Sequence, residues 1–474
     1  MERAYKYPRA IIVLGVLLAS CPGVFALDPS LAISQYGHTA WTIREGFSKG
    51  TINAMAQTPD GYLWLGTEFG LLRFDGVRAL PWQPPAGEHL PDSDIRSLLV
   101  SRHGTLWIGT LKGLASWKDG KLTQYPEIPG QLIDTLIEDR EGTVWAGVEV
   151  MPAWKLCAIQ SGSVQCSGDN GSLGLGVGSI FEEGNGNLWA GTGTGLWQWE
   201  PGPPKVFPLS PLMREIHAFT QGDNGTLLIA IRGGILQLAD GKAEAYPLPG
   251  GGWQFNPFSL LRDRHGGLWI GTKDRGLLHV HRGRTDVFAQ SDGLSGDRIT
   301  ALFEDREANV WVATVNGLDR FRDFAVATIS VKQGLSSASV ESVLAAGDGS
   351  VWLGTRDGLD RWKDGQITIY RTRSAGTERI RELGGLGAAG ESVARGAVRE
   401  ITNNGLPDNQ MGSLFQDDGG RIWVSTPRGV AYFENGGFVP VSSAPRGFVH
   451  SIAEDSVRDL WMNPDQGLFH LGRG

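Results

Sequence analysis

The chain has 474 residues, of which 41% are hydrophobic and 20% charged, with 68 glycines and a formal net charge of −8. That apolar fraction is enough for a packed core, so the glycine content signals dense turns and not disorder. The acidic balance argues against nucleic acid as a partner, because phosphate is attracted by a basic face.

The first 26 residues read as a secretion signal. Arg3, Lys6 and Arg9 form a basic start, "AIIVLGVLLA" at 10–19 is a short apolar run, and "VFA" at 24–26 predicts cleavage after Ala26. In the alternative, "LASC" at 18–21 makes Cys21 the lipid-bearing first residue of a lipoprotein. Either way the expected location is periplasmic or secreted. No later stretch reaches 18 uninterrupted apolar residues, so none reads as a membrane span. A lead-in over 27–46 follows, holding the strand-like "HTAWTI" at 38–43.

From residue 47 onward one pattern recurs. "DGYLWLGTEFGLLRFDG" at 60–76 returns as "HGTLWIGTLKGLASWKDG" from 103, "HGGLWIGTKDRGLLHV" from 265 and "DGSVWLGTRDGLDRWKDG" from 348. Ten units align on Trp64, Trp107, Trp145, Trp189, Leu228, Trp269, Trp311, Trp352, Trp423 and Trp461. The spacings are 43, 38, 44, 39, 41, 42, 41, 71 and 38. A period near 41 residues belongs to solenoids and propellers. In the first unit, strand-like 51–57, 62–67, 71–74 and 77–82 are separated by turns rich in Gly and Asp. Four short strands per period predict an all-β β-propeller. The nine tryptophans are expected to pack between blades, since Trp64 points to one face and Leu63 and Leu65 to the other. The alternative is a solvent-facing aromatic platform for carbohydrate.

Ten units exceed the usual four to eight blades of one ring. The expected arrangement is a seven-bladed ring over 47–330, then blades 8–10 over 331–474. A single ten-bladed ring is the alternative. The 71-residue gap carries an inserted loop at about 371–402, whose Ala/Gly/Arg/Glu content breaks the β pattern. The last unit stops at its third strand, 467–471, which fits either a truncation or a ring completed by 38–43. Cys157 and Cys166 flank "SG" at 161–162. If that pair is a two-residue turn, the cysteines face each other and form a disulfide in an oxidising compartment; two free thiols are the alternative.

The repeats, "DGYLWLGTEFGL" at 60–71 and "DGSVWLGTRDGL" at 348–359 most clearly, resemble the two-component regulator propeller family, as does the lead-in "LDPSLAISQYGHTAWTIREG" at 27–46. The resemblance runs through nearly the whole mature chain. It implies a periplasmic ligand-sensing propeller that serves a histidine kinase or diguanylate cyclase. Nothing after Leu471 resembles the membrane span or output domain of that family, so the chain reads as a truncated sensor or as one that works with a separate membrane-bound kinase or cyclase subunit.

No catalytic set stands out. No two histidines sit at metal-ligand spacing beside a carboxylate cluster, His103 and His265 fall at turn positions, and no cofactor is expected. A propeller enzyme is the second class. A lyase of the streptogramin type favours a "WFTE" strand, but the strands here read "WLGT", "WIGT" and "WVAT"; a glycosidase would need convergent Arg, Tyr and Glu. A protein-binding or adhesion propeller is the third. The expected ligand is a small molecule or glycan fragment held on the loops of one face or in the channel mouth. The dipeptides after each Gly-Thr, such as Glu68-Phe69 and Leu111-Lys112, vary as a site requires and as ordinary turns also do.

Overall fold

The computed structural model describes residues 27, 31–128, 131–150, 153–168, 173, 177–192, 194–200, 202–207, 216–239, 241–251, 255–323, 329–363, 366–372, 379–381, 398–402 and 404–472. The secretion signal, Cys21 and most of the 371–402 insert lie outside the described residues. The chain divides into two compact units, 1–325 and 326–474.

The first unit holds seven four-stranded antiparallel sheets. Blade 1 runs Ile52–Gln57, Leu63–Thr67, Gly70–Phe74 and Ala79–Pro81 from its innermost strand outward. The innermost strands of blades 2 to 7 are Ile95–Val100, Leu132–Glu138, Val177–Glu182, Ile216–Gln221, Pro257–Arg262 and Ile299–Glu304. Each neighbours the next, and the seventh neighbours the first. That succession leaves no place in this ring for the three later blades, so the ten-bladed alternative fails. Blade 7 takes its outer strand from the N-terminal side: Gly37–Thr42 pairs with Gly317–Arg322, His38 opposite Phe321 and Trp41 opposite Leu318. The lead-in strand therefore completes the seventh blade and not the last unit of the chain. Trp41 stacks on Trp311 at 5.7 Å, and His38 Nε2 meets the buried Asp319 Oδ1 at 2.9 Å, so the strand is fastened by both an apolar and a polar contact.

The "LWxGT" strand forms each blade's centre, and in blades 1, 2, 4 and 6 every residue of it is buried. Its parts have separate tasks. Trp269 is wholly buried and Trp64, Trp145, Trp189, Trp311, Trp352 and Trp423 nearly so. Where an Asp lies six residues earlier, the indole Nε1 donates to it: Trp145 to Asp139, Trp269 to Asp263, Trp311 to Asp305 and Trp423 to Asp417, at 2.7 to 2.8 Å. The same carboxylates accept turn N–H groups, so each Asp ties its turn to the core. Trp107 and Trp189, preceded at that position by Ser101 and Glu183, have no such partner for Nε1. The Gly leaves room for the next blade. A Cβ on Gly66 would lie 2.6 Å from Ile95 Cγ2, and one on Gly271 2.6 Å from Ile299 Cγ2. The Thr closes the following turn: Thr67 Oγ1 donates to Gly70 O at 2.8 Å and accepts the Phe69 N–H, and Thr110 repeats this with Gly113 and Lys112.

In blade 3, Ser161 and Gly162 take φ of 50° and 82°, the left-handed values of a two-residue hairpin turn. Cys157 and Cys166 stand opposite each other and are joined, with Cα atoms 4.0 Å apart.

The second unit has three sheets. Blade 8 extends beyond four strands, because Val398–Thr402 pairs parallel to Gln366–Arg371 and Arg379–Arg381 pairs with Val398–Thr402. The insert thus contributes β-structure where its composition suggested only a loop. A parallel return needs a long crossover, which the extra residues provide. Blade 10 has three strands, Val449–Glu454, Leu460–Pro464 and Phe469–Leu471. Trp461 departs from the other tryptophans at 37% exposure, as no described strand of this unit covers its face. Its Nε1 still donates to Asp455 at 2.9 Å.

Candidate functional site

Every innermost strand of the first unit carries a register shift near its start, at the second residue in six blades and the third in blade 3: between Ile52 and Ala54, Ile95 and Ser97, Ile133 and Thr135, Val177 and Ser179, Ile216 and Ala218, Pro257 and Ser259, and Ile299 and Ala301. A bulge re-aims the residue it expels from the ladder. The apolar residue before it stays in the blade interface, with Ile52, Ile95, Ile133 and Ile299 at or below 1% exposure. The expelled residues are Asn53, Arg96, Asp134, Gly178, His217, Phe258 and Thr300, one from each blade. All seven line one cavity of about 650 Å³ at the centre of the ring. Glu68 and Arg298 also line it.

On near-identical blades these seven positions differ in chemistry. Arg96 is held by Asp94 at 2.5 Å. Asp134, on the next blade, opens to the cavity but is ringed by its walls; this burial raises its carboxyl above the usual range against the opposing pull of Arg96, and Glu149 adds to the rise. Across blades 5 and 6, Lys273 Nζ lies 3.3 Å from His217 Nε2 and 5.3 Å from the centre of the Phe258 ring. Two of the seven bind blades together: Asn53 Nδ2 donates to Ile95 O at 3.0 Å and Thr300 Oγ1 to Ile52 O at 2.6 Å. The result is a polar cavity in which Arg298, Glu68, Arg96 and Asp134 follow one another around the ring from blade 7 to blade 3, with Phe258 of blade 6 as an aromatic wall. It can hold a small molecule by charge, hydrogen bonds and ring contact together.

Of the variable turn residues, Glu68 reaches the cavity and Lys273 its edge, but Phe69 and Leu111 point to solvent at 64% and 38% exposure. The sequence reading missed the bulge position. Its signal is an apolar residue, a variable one and a small one, with the variable residue eleven before the aligned aromatic, as Asn53 precedes Trp64 and Arg96 precedes Trp107. The reading also missed His279 and His281, two apart on one strand. Among the described residues two groups stand close enough to share a cation: His279, His281 and Asp286, all buried, and the more open Asp455, Asp459 and His470.

Residues 46–69, 89–112 and 405–428 match the family described as "Two component regulator propeller", each match spanning the first two strands of a blade. No curated protein matches the chain in sequence. Among solved structures, the chain is similar to the extracellular domain described as that of hybrid two component system BT3049 from B. thetaiotaomicron, at 18% identity and a TM-score of 0.64, over 92% of this chain and 59% of that one. It is likewise similar to the extracellular domain of hybrid two component system BT4673 from the same organism, at 18% identity and a TM-score of 0.51, over 92% and 58%. The chain thus spans about three fifths of the length of these structures. Ten repeats fold into sheets of the propeller-blade kind, eight of them four-stranded among the described residues, and three stretches match the two component regulator propeller repeat, so the chain is a β-propeller protein that carries repeats of that kind.

Proposed function

We propose that this chain is the extracytoplasmic, ligand-receiving part of a two-component type signalling system, and that the seven-bladed unit binds its ligand in the central cavity. The observation that carries this reading is the set of seven bulged positions, which vary in chemistry on a repeated scaffold yet converge on one polar cavity. The family name and the described role of the similar structures as extracellular domains of two component systems support the signalling context. In this reading the chain binds without turnover, and a membrane-bound kinase or cyclase carries the signal inward. The ligand class is a small polar molecule or glycan fragment, able to meet the cations Arg96 and Arg298 and the carboxylates Glu68 and Asp134 that alternate with them around the cavity.

The test is a thermal-shift screen of the mature chain against metabolites, peptides and oligosaccharides. A true ligand at a hundredfold excess over its dissociation constant adds about 2.7 kcal/mol of stability. Binding should weaken at least tenfold in Arg96→Ala and Asp134→Asn with the unliganded melting temperature retained. A ligand unaffected by both substitutions would move the site elsewhere, and steady conversion of the ligand to product would replace the sensor reading with an enzyme.

A further inference from the structure

We infer that blade 6 contains a buried zinc site formed by His279, His281 and Asp286. The third and fourth strands of this blade, Leu277–His281 and Arg284–Phe288, are joined by a two-residue turn at Arg282 and Gly283, with φ of 43° and 72°. His279 and His281 are two apart and so share a face of the strand. The register sets Asp286 directly opposite His279. The nearest donor atoms of the three side chains lie within 4.8 Å of one another, and the residues are 1%, 4% and 9% exposed.

The imidazole of His279 is what the fold does not otherwise explain. Both its ring nitrogens are buried and neither has a hydrogen-bond partner. Interiors rarely leave such groups unsatisfied, and a bound ion or water is a common reason when they do. Its ring lies flat on Trp269 at 4.1 Å and on His281 at 4.5 Å, with Tyr36 at 5.9 Å. Burial pushes its pKa well below the ordinary histidine value, reinforced by His281 and Arg284, and a neutral imidazole is the form a metal takes. His281 Nε2 already meets Asp286 Oδ2 at 2.9 Å, and that oxygen also accepts the Ile33 N–H at 3.1 Å. The lead-in residues Leu27, Ile33 and Tyr36 pack in the same core as Trp269, so the cluster sits beneath the N-terminal segment.

Two imidazoles and a carboxylate suit zinc, with bonds near 2.0–2.2 Å and a fourth position left over. Bonds of that length need donor atoms roughly 3.3 Å apart. The cluster must therefore draw in, and the stacked imidazoles must turn so that their edges meet the ion. The torsion that turns a histidine ring has a broad, soft preference. An ion here would join both strands of the hairpin and, through Asp286, the lead-in. A competing arrangement is a water between His279 and Asp263: a Cβ on Gly267 would lie 2.7 Å from His279 Nε2 and would also meet the Asp263 carboxylate. That arrangement leaves the protein free of metal.

The experiment uses the untagged chain, purified, stripped with chelator, dialysed against zinc and assayed by elemental mass spectrometry. A ratio of about one zinc per chain is expected, falling at least fivefold in both His279→Phe and Asp286→Asn and unchanged in His470→Ala. His279→Phe keeps a ring on Trp269, and Asp286→Asn keeps an acceptor for Ile33, so one stands if the other fails to fold. Chelator should lower the melting temperature of the parent chain and leave that of a folded variant unmoved. Cobalt in place of zinc should give the visible absorption of a four-coordinate site. A metal-free parent chain after zinc dialysis overturns the inference, as does zinc that persists in a folded blade 6 variant or disappears with His470→Ala.

Discussion

Replacing Gly271 by Ala tests how the repeats hold one another. Outside a special backbone conformation, Gly→Ala stabilises by about 0.4–1 kcal/mol through the unfolded chain. Gly271 has no left-handed φ, so it should gain that term. Against it stands the neighbouring blade: the new Cβ would lie 2.6 Å from Ile299 Cγ2 and 2.9 Å from Ile299 Cβ, with the Ser259 hydroxyl also in the way. The hydroxyl can rotate, but Ile299 is 1% exposed and belongs to the buried cluster around Trp269. Overpacking of this kind costs about 1–3 kcal/mol. The difference is a net loss of about 0.5–2 kcal/mol, read by urea unfolding of the parent and variant chains. Gly234 is the internal control in the same unit: a Cβ there meets nothing within 4 Å and its φ is not left-handed. Gly234→Ala should be neutral or stabilising by up to about 1 kcal/mol. If the two substitutions had the same effect, contact across the blade interface would not be the reason for the repeated Gly.

Trp269→Ala should cost about 3–5 kcal/mol as a cavity in a wholly buried site, and Trp461→Ala clearly less, since Trp461 is 37% exposed; denaturant unfolding of both variants compares them. The Cys157–Cys166 bond should appear as a linked peptide pair in unreduced mass spectrometry, and two alkylatable thiols in material exported to an oxidising compartment would contradict it. Asp360 in blade 8 is pushed up to about 6 by burial, although Ser336 donates to it. Because its folded value exceeds the ordinary 3.8, its contribution to stability is complete below about 4 and is lost as pH rises through about 6. Asp360→Asn should flatten that loss in a melting series from pH 4 to 8.

The fold was legible because it repeats. One "LWLGT" segment fits any buried strand, but ten copies at a near-constant spacing admit few architectures. The closing strand was harder. His38–Ile43 reads as a strand, yet its partner is 281 residues away at Asp319, and local pattern carries no information about which blade it joins. The insert misled for a different reason: Val398 is 3% exposed and fits a sheet, but it follows a run whose Ala and Gly content masks the β signal. The acceptors of the indole protons are not marked by the acidic residue that heads the quoted repeat, since Asp60 lies four residues before Trp64. The working position is six before, where Asp139, Asp263, Asp305 and Asp417 sit.

The cavity residues were hidden by the feature that makes them useful. A repeat is recognised by what stays the same, so the eye passes over the position that changes. In the first unit the constant residues spend their chemistry within the scaffold: Trp and Ile fill the blade interfaces, Gly keeps the interface close, Thr and Asp fasten the turns. The bulge turns one variable residue per blade out of that network and toward the axis, where Asn53, Arg96, Asp134, Gly178, His217, Phe258 and Thr300 meet. Substitution there leaves the ladder intact and removes an inter-blade hydrogen bond at Asn53 and Thr300, so most of the lining can diverge while the fold does not. If the central cavity is the ligand site proposed above, such a chain changes what it binds by single replacements eleven residues before each aligned aromatic, and Arg96 and Asp134 are the charged pair to replace first.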